Sequence, residues 1–131
     1  MAMHVRIATG LVDHLLALAR AAPEREICGL LFGEVGRIDT AAAATNVAED
    51  PTTGFEIDPA TLIAAHRRAR AGGPAIVGCF HSHPNGRAEP SPRDAAAAIP
   101  GDFWLILTVG QARLFHARPS GEFAPYVMAS A

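Results

Sequence analysis

The chain has 131 residues, of which 50% are hydrophobic and 18% are charged, and its formal net charge is −2. This length and composition are typical of one globular domain that buries enough surface to fold without disulfides. The slight acidic surplus argues against a general nucleic-acid-binding protein, which would carry a basic patch. No secretory signal and no apolar stretch near the roughly 20 residues that span a bilayer are visible, so we expect a cytoplasmic protein without a membrane partner.

The first half of the chain predicts a strand, a helix and a β-hairpin before a second helix. Residues 4–8 alternate apolar and polar side chains, as a half-buried strand does, and a leucine stripe at helical spacing follows over 10–21. The apolar run 27–32 favours a buried strand, and 37–47 returns beside it after a glycine-containing turn. An Asp-Pro pair then begins a helix over 59–71.

The second half predicts one more helix between strands. Residues 75–80 form an apolar strand that ends just before His81, and a Ser-Pro step begins a third helix over 91–100. Three further strands are predicted at 103–109, 112–117 and 122–127. The pattern shows no repeat and no linker. We therefore predict a single domain over residues 1–131 with an α/β (α+β) fold, in which one mixed β-sheet is flanked by helices.

Two histidines and an aspartate provide the main chemical signal. His81 and His83 stand two residues apart at a predicted strand end, where side chains at i and i+2 point to the same side. Such a pair alone is weak evidence for a metal. Asp94 follows after ten intervening residues, in the first turn of the third predicted helix. Two histidines and one carboxylate leave a fourth zinc position open to water, which is the arrangement of a catalytic zinc site.

Two more residues are candidates for catalysis, but each also has an ordinary structural role. Ser91 begins a Ser-Pro-Arg-Asp sequence that resembles a helix capping box. Glu26 precedes the buried strand 27–32, where an ionised carboxylate is costly without a partner. It is equally compatible with an exposed acid in a turn beside Glu24. The local pattern alone favours capping for Ser91 and exposure for Glu26.

Together these residues resemble the JAMM (MPN+) zinc metalloprotease motif. That motif combines a glutamate at an upstream strand with H-[ST]-H-P and S-x-x-D. The matching segments here are Glu26-Ile-Cys-Gly-Leu-Leu, His81-Ser82-His83-Pro84 and Ser91-Pro-Arg-Asp94. The seven residues between the second histidine and the serine match the family's spacing. The resemblance covers nearly the whole chain and implies a curved sheet of the MPN/JAMM type, a fold related to that of the cytidine deaminases.

The resemblance implies a role for each motif residue. His81, His83 and Asp94 would bind Zn²⁺. Glu26 would take a proton from the attacking water, and Ser91 would stabilise the oxyanion. Members of the family are deubiquitinase-like isopeptidases that cut after the C-terminal Gly-Gly of ubiquitin or a ubiquitin-like protein. The expected partner is therefore a ubiquitin-like protein or its conjugate, with the oligomeric state left open.

The loops around the predicted site are short, near 48–54 and after Asp94. Eukaryotic members that read polyubiquitin linkage carry insertions there, so the chain is more similar to the compact bacterial members. Those trim precursors, release sulfur-carrier tails or act in conjugation systems, and the sequence does not separate these substrates. The family's substrate tails lie extended along a strand, for which 37–47 is the candidate edge.

Three alternatives differ in what they require. A cell-wall or general peptidase of the same fold would share the motif but act on another substrate. A non-catalytic MPN-type scaffold would bind a partner without metal, although such proteins usually lose motif residues. A zinc deaminase would need H-x-E and P-C-x-x-C segments, and neither is present in the sequence.

Overall fold

Seven strands and three helices follow one another in residues 3–130, the part of the chain that this computed structural model describes. The strands are β1 (Met3–Ile7), β2 (Cys28–Glu34), β3 (Arg37–Ala44), β4 (Ala75–Ser82), β5 (Phe103–Leu107), β6 (Ala112–Ala117) and β7 (Phe123–Ser130). The helices are α1 (Leu11–Ala21), α2 (Pro59–Arg70) and α3 (Pro92–Ala97). Among the described helices, none has the length and apolar character needed to cross a membrane.

The seven strands form one mixed sheet in the order β1-β3-β2-β4-β5-β6-β7, and β1 also pairs with β7, so the sheet closes on itself. β4 pairs parallel with β5, whereas β2 pairs antiparallel with both β3 and β4. This confirms the predicted α+β class with a curved, mixed sheet. Closure removes most of the free backbone edges that an open sheet presents.

The seam between β1 and β3 is short. It consists of the pairs Arg6↔Arg37 and Ile7↔Ile38, while β2 pairs with β3 as far as Ala44. Residues 40–44 therefore have a strand on one side only, within the part of the chain described. This free edge is a section of the 37–47 segment that the sequence analysis singled out.

One face of the sheet forms the main hydrophobic core. Leu31 of β2, Phe80 of β4 and Leu105 of β5 have no exposed surface, and Leu15 of α1 packs among them. Gly29 lies opposite Phe80, where an added Cβ would collide with the Phe80 ring and with the backbone of the neighbouring strand. The absence of a side chain at Gly29 thus makes room for the largest side chain of this core cluster.

Several predicted boundaries differ from the structure, and two of them lie near the motif residues. β4 does not end at Phe80 but runs through His81 to Ser82, because the backbone of His81 pairs with strands on both sides. A polar side chain after an apolar run looks like the end of a strand, although strand pairing depends on the backbone. α3 ends at Ala97, earlier than residue 100, because Ala98 adopts an extended backbone conformation.

Candidate metal centre

β4 carries both motif histidines to the same point. His81 lies in the strand between Cys28 of β2 and Ile106 of β5 and has no exposed surface. His83 follows just after the strand, where its backbone N–H donates to the carbonyl of Leu107 at 2.8 Å. The two Nε2 atoms lie 3.0 Å apart. The spacing of two residues therefore places both rings on one side, as the sequence predicted.

The capping box of α3 places Asp94 against the two histidines. The Ser91 N–H donates to Asp94 Oδ2 at 2.9 Å, and the Asp94 N–H donates to Ser91 Oγ at 3.1 Å. The same Oδ2 lies 3.2 Å from His81 Nε2 and 3.1 Å from His83 Nε2. The capping role of Ser91 and a ligand role for Asp94 are thus compatible, since the cap orients the carboxylate.

The donor atoms of this cluster fit a divalent metal ion. The Nε2 atoms of His81 and His83 and the Oδ2 of Asp94 lie 3.0–3.2 Å from one another. Ligands at roughly 2.0–2.1 Å from a tetrahedral zinc ion stand about 3.3–3.4 Å apart, so only a small adjustment separates the two arrangements. Glu26 and the two histidines also offer ligand atoms that all lie within 4.8 Å of one another. These residues can therefore hold a metal ion.

The pKa values of the two carboxyl groups in the site are shifted in opposite directions. The pKa of Glu26 is raised to about 7, mainly by burial and in part by the charge of Asp94, while His83 and Arg93 act to lower it. Burial also acts to raise the pKa of Asp94, but hydrogen bonds to His81 and His83 outweigh it, so that pKa falls well below its usual range. Of these two carboxyls, Asp94 is therefore the stable anion, and Glu26 is the one that exchanges a proton near neutral pH.

One carboxylate oxygen of Glu26 has no hydrogen-bond partner among the described residues. The residue is 5% exposed, and the oxygen concerned is the buried Oε1. A buried oxygen of this kind costs about 1–3 kcal/mol when nothing satisfies it. The residue therefore lies inside the site and is not the exposed turn acid that its local sequence allowed.

The two histidines are held in different ways. His83 Nδ1 donates to the carbonyl of Arg87 at 2.8 Å, and its Nε2 is directed at Asp94 and His81. Burial lowers the pKa of His81, with partial compensation by Asp94. Burial also acts to lower the pKa of His83, but its hydrogen bonds to Asp94 and Arg87 raise it overall.

Aromatic rings hold His81 in place. Phe55 stacks on the His81 ring with 4.4 Å between centroids and an interplanar angle of 20°, and Trp104 meets it edge-on at 5.4 Å. The Nδ1 of His81 is buried without a hydrogen-bond partner among residues 3–130. Ring packing therefore fixes this imidazole, in contrast to the hydrogen bond that fixes His83.

No functional role was predicted for Phe55, Trp104 or Ser82. Ser82 Oγ accepts from the Ile27 N–H at 2.9 Å and donates to the Arg25 carbonyl at 3.4 Å, so it ties β4 to the residues on either side of Glu26. Its position between the two histidines was an available signal. For Phe55 and Trp104 the sequence offered none, because their contact with His81 depends on the tertiary fold.

The fold and the cluster of buried ligands define the class of protein. The chain belongs to the prokaryotic homologs of the JAB domain, whose family model matches residues 8–120. A JAB1/MPN domain protein from Archaeoglobus fulgidus shares the fold, with a TM-score of 0.62, 19% identity and coverage of 96% of this chain and 98% of that one. The family match confirms the predicted family, and the shared structure confirms the predicted fold class.

Two relatives carry names that describe an activity. A protein of Haloferax volcanii named desampylase is 30% identical over 116 residues, which cover 86% of this chain and 84% of the relative. A Thermus thermophilus protein named probable TtuB-protein conjugate cleaving protease is 34% identical over 90 residues, which cover 68% of this chain and 60% of the relative. These relatives support a hydrolase role for the family member described here.

Proposed function

We propose that this protein is a zinc-dependent peptidase that hydrolyses the peptide or isopeptide bond after the C-terminal Gly-Gly of a ubiquitin-like protein. The observation that carries the proposal is the convergence of His81, His83 and Asp94 at 3.0–3.2 Å. Glu26 stands beside them with a buried oxygen that has no partner among the described residues. The names of the two relatives, one of which describes cleavage of a protein conjugate, support the substrate class.

Each ligand and the base has a separate task in this reaction. His81, His83 and Asp94 would hold a zinc ion, which would act as a Lewis acid that lowers the pKa of water toward about 7 and polarises the substrate carbonyl. Glu26 accepts the proton of the attacking water and then donates it to the leaving amine. Its buried carboxyl lies beside the two histidine ligands, as a general base must. Asp94 stays anionic throughout, as a ligand must.

Ser91 is the proposed donor to the substrate carbonyl oxygen. Its Oγ accepts a hydrogen bond from the Asp94 N–H, which leaves the hydroxyl hydrogen available. A donor of this kind stabilises the developing oxyanion by on the order of 3 kcal/mol in other hydrolases. The same serine thus serves as helix cap and as electrostatic catalyst.

The free edge of β3 is the proposed binding site for the substrate tail. Residues 40–44 lack a strand on one side, within the described part of the chain. A cavity of about 460 Å³ joins Ala43 and Ala44 of this edge to Glu26. An extended tail can add to the edge through main-chain hydrogen bonds, and a Gly-Gly end needs no side-chain space near the base.

The test is cleavage of a ubiquitin-like protein that carries a short extension after its Gly-Gly tail. We expect the zinc-loaded protein to release the extension after the second glycine, as measured by mass spectrometry. Glu26→Ala should lower the rate by at least about 100-fold, because general acid–base catalysis contributes roughly 10²–10⁴-fold. Glu24→Ala is the matched control, since it removes an exposed acid two residues away and should leave the rate unchanged.

The zinc content decides what a negative result means. If the protein binds zinc stoichiometrically but cleaves nothing, the proposed substrate class is wrong and the metal centre stands. If it binds no zinc, the peptidase proposal fails entirely. A rate that is equal in wild type and Glu26→Ala would remove Glu26 from the mechanism.

A further inference from the structure

Asn46, just after β3, uses the full hydrogen-bonding capacity of its side chain. Its Nδ2 donates to the carbonyls of Glu26 at 2.9 Å and Gly54 at 3.1 Å. Its Oδ1 accepts from the backbone N–H groups of Ala48 at 3.0 Å and Glu56 at 3.1 Å. An amide has two donor hydrogens and two acceptor lone pairs, so all four are used. In the flipped orientation the amide NH₂ would face two backbone N–H groups and the amide oxygen would face two carbonyls. Only one orientation of the amide is therefore compatible with these partners.

The first of these bonds matters because Glu26 lies outside the strand ladder. β2 begins at Cys28, whose backbone is the first in the strand to pair with β3 and β4. The backbone of Glu26 is held by the loop instead. Its N–H donates to the carbonyl of Pro51 at 2.7 Å, and its carbonyl accepts from Asn46. The position of the proposed base thus depends on the loop that Asn46 organises, in addition to the bonds of Ser82 to Arg25 and Ile27.

The other bonds of Asn46 reach the opposite side of the site. Gly54 and Glu56 flank Phe55, and both are bonded to the Asn46 amide. Phe55 in turn stacks on the ring of His81 with 4.4 Å between centroids. One side chain therefore connects the backbone of Glu26 with the segment that packs against a metal ligand.

We propose that Asn46 is a positioning residue that holds Glu26 in register with the metal ligands. It acts through the backbone carbonyl of Glu26 and through the Gly54–Glu56 segment. The geometric part of this inference is independent of the reaction, whereas its catalytic consequence rests on the proposed function. Asn46 itself touches neither a metal ligand nor the Glu26 carboxyl in the contacts described above.

Amide hydrogen exchange measured by NMR tests the geometric part without any substrate. The variants are Asn46→Ala, which removes all four bonds, and Asn46→Asp, which keeps the two acceptor bonds and loses both donors. We expect the Glu26 N–H to exchange about five- to tenfold faster in both variants, although its own acceptor is the Pro51 carbonyl. Core amides such as that of Leu105 should exchange at the wild-type rate, which separates local opening from global destabilisation.

Asp50→Ala is the matched control in the same loop. Asp50 accepts hydrogen bonds from the Thr52 N–H, the Thr52 hydroxyl and the Thr53 hydroxyl, and none of these bonds reaches Glu26, Gly54 or Glu56. Its loss should leave exchange at Glu26 within about threefold of wild type. If Asp50→Ala accelerates exchange at Glu26 as much as Asn46→Ala does, general loop order positions the base and the assignment to Asn46 is wrong. An unchanged Glu26 N–H in both Asn46 variants overturns it as well.

Steady-state kinetics and cobalt titration test the catalytic part. We expect both Asn46 variants to lower kcat roughly 10–100-fold, as loss of outer supporting contacts does elsewhere, while KM changes less than about threefold. Affinity for Co²⁺, measured by its visible absorption, should stay within about threefold of wild type, because the three ligands keep their own contacts. Wild-type kcat in a variant with fast exchange at Glu26 would contradict the positioning role. If wild type cleaves no Gly-Gly substrate, the proposed function fails, and the exchange data still decide what Asn46 does.

Discussion

The two faces of β4 place neighbouring residues in contrasting surroundings. Phe80 is fully buried against the apolar side chains of the core, including Leu31 and Leu105. His81 is equally buried, but its Nδ1 has no partner among the described residues, and it contacts other titratable groups. Burial of the first side chain stabilises the fold, whereas burial of the second costs free energy because a polar ring nitrogen leaves water without a partner. The core face therefore supports a site that would be unfavourable alone.

The largest effect on stability is expected on the core face. Phe80→Ala should lower the free energy of unfolding by about 3–5 kcal/mol, because it removes a large buried ring and leaves a cavity. Gly29, which lies opposite, has no side chain that could fill the space. Urea unfolding of the metal-free protein, followed by circular dichroism, measures the change.

Cobalt affinity of the same variant tests whether the two faces are independent. As long as Phe80→Ala remains folded, we expect its affinity for Co²⁺ to be close to that of wild type. The Phe80 side chain lies on the opposite face of β4 from the side chain of His81. Phe80→Leu is the milder control and should lose less stability. Loss of cobalt binding in a folded Phe80 variant would show that packing on the core face sets the metal geometry.

The next largest effect is an increase in the free energy of unfolding. It is expected when Glu26, whose ionisation is costly in the metal-free site, is replaced by glutamine. The folded-state pKa of Glu26 is about 7, above its ordinary value of 4.5. The stability associated with the protonated form is therefore present below pH 4.5 and is lost as the pH rises through 7. Glu26→Gln cannot ionise, so at pH 8 the metal-free variant should be more stable than wild type by up to about 3 kcal/mol.

Urea unfolding of both metal-free proteins at several pH values between 4.5 and 8 measures this difference. We expect the two proteins to be nearly equal at the acidic end and to diverge as Glu26 ionises in wild type. Glu24→Gln is the control, because it changes an exposed acid nearby and should run parallel to wild type. A constant gap between wild type and Glu26→Gln at all pH values would contradict the raised pKa.

The sequence predicted the core face better than the site face. The apolar runs located β2 and β4 to within a few residues, because periodicity reports which side chains leave water. The closure of the sheet by β1 and β7 was not predicted, since strand pairing over more than a hundred residues leaves no local signal. The strand boundary at His81 was also missed, because hydrophobicity does not report backbone pairing.

The site residues were predicted through the resemblance to the JAMM motif, and no local property of the sequence would have assigned Glu26. More than fifty residues separate it from His81, and only the fold brings them together. Asn46 and Phe55 lay outside the motif. An asparagine at a strand end indicates local hydrogen bonding to the backbone, but its bond to the Glu26 carbonyl depends on the tertiary structure. Supporting contacts of this kind form only in the folded structure.

The smallest effect on stability is expected at Ser91, which caps α3 and is also the proposed donor to the oxyanion. Ser91→Ala should lower the free energy of unfolding by about 1 kcal/mol, the usual value of an N-cap, whereas Ser91→Gly should cost only a few tenths. Both variants lack the hydroxyl. If the Ser91 hydroxyl donates to the oxyanion, kcat should therefore fall by the same factor in both variants. If kcat instead follows stability and the glycine variant stays active, Ser91 acts only by holding Asp94. Urea unfolding and steady-state kinetics on the three proteins separate the two roles.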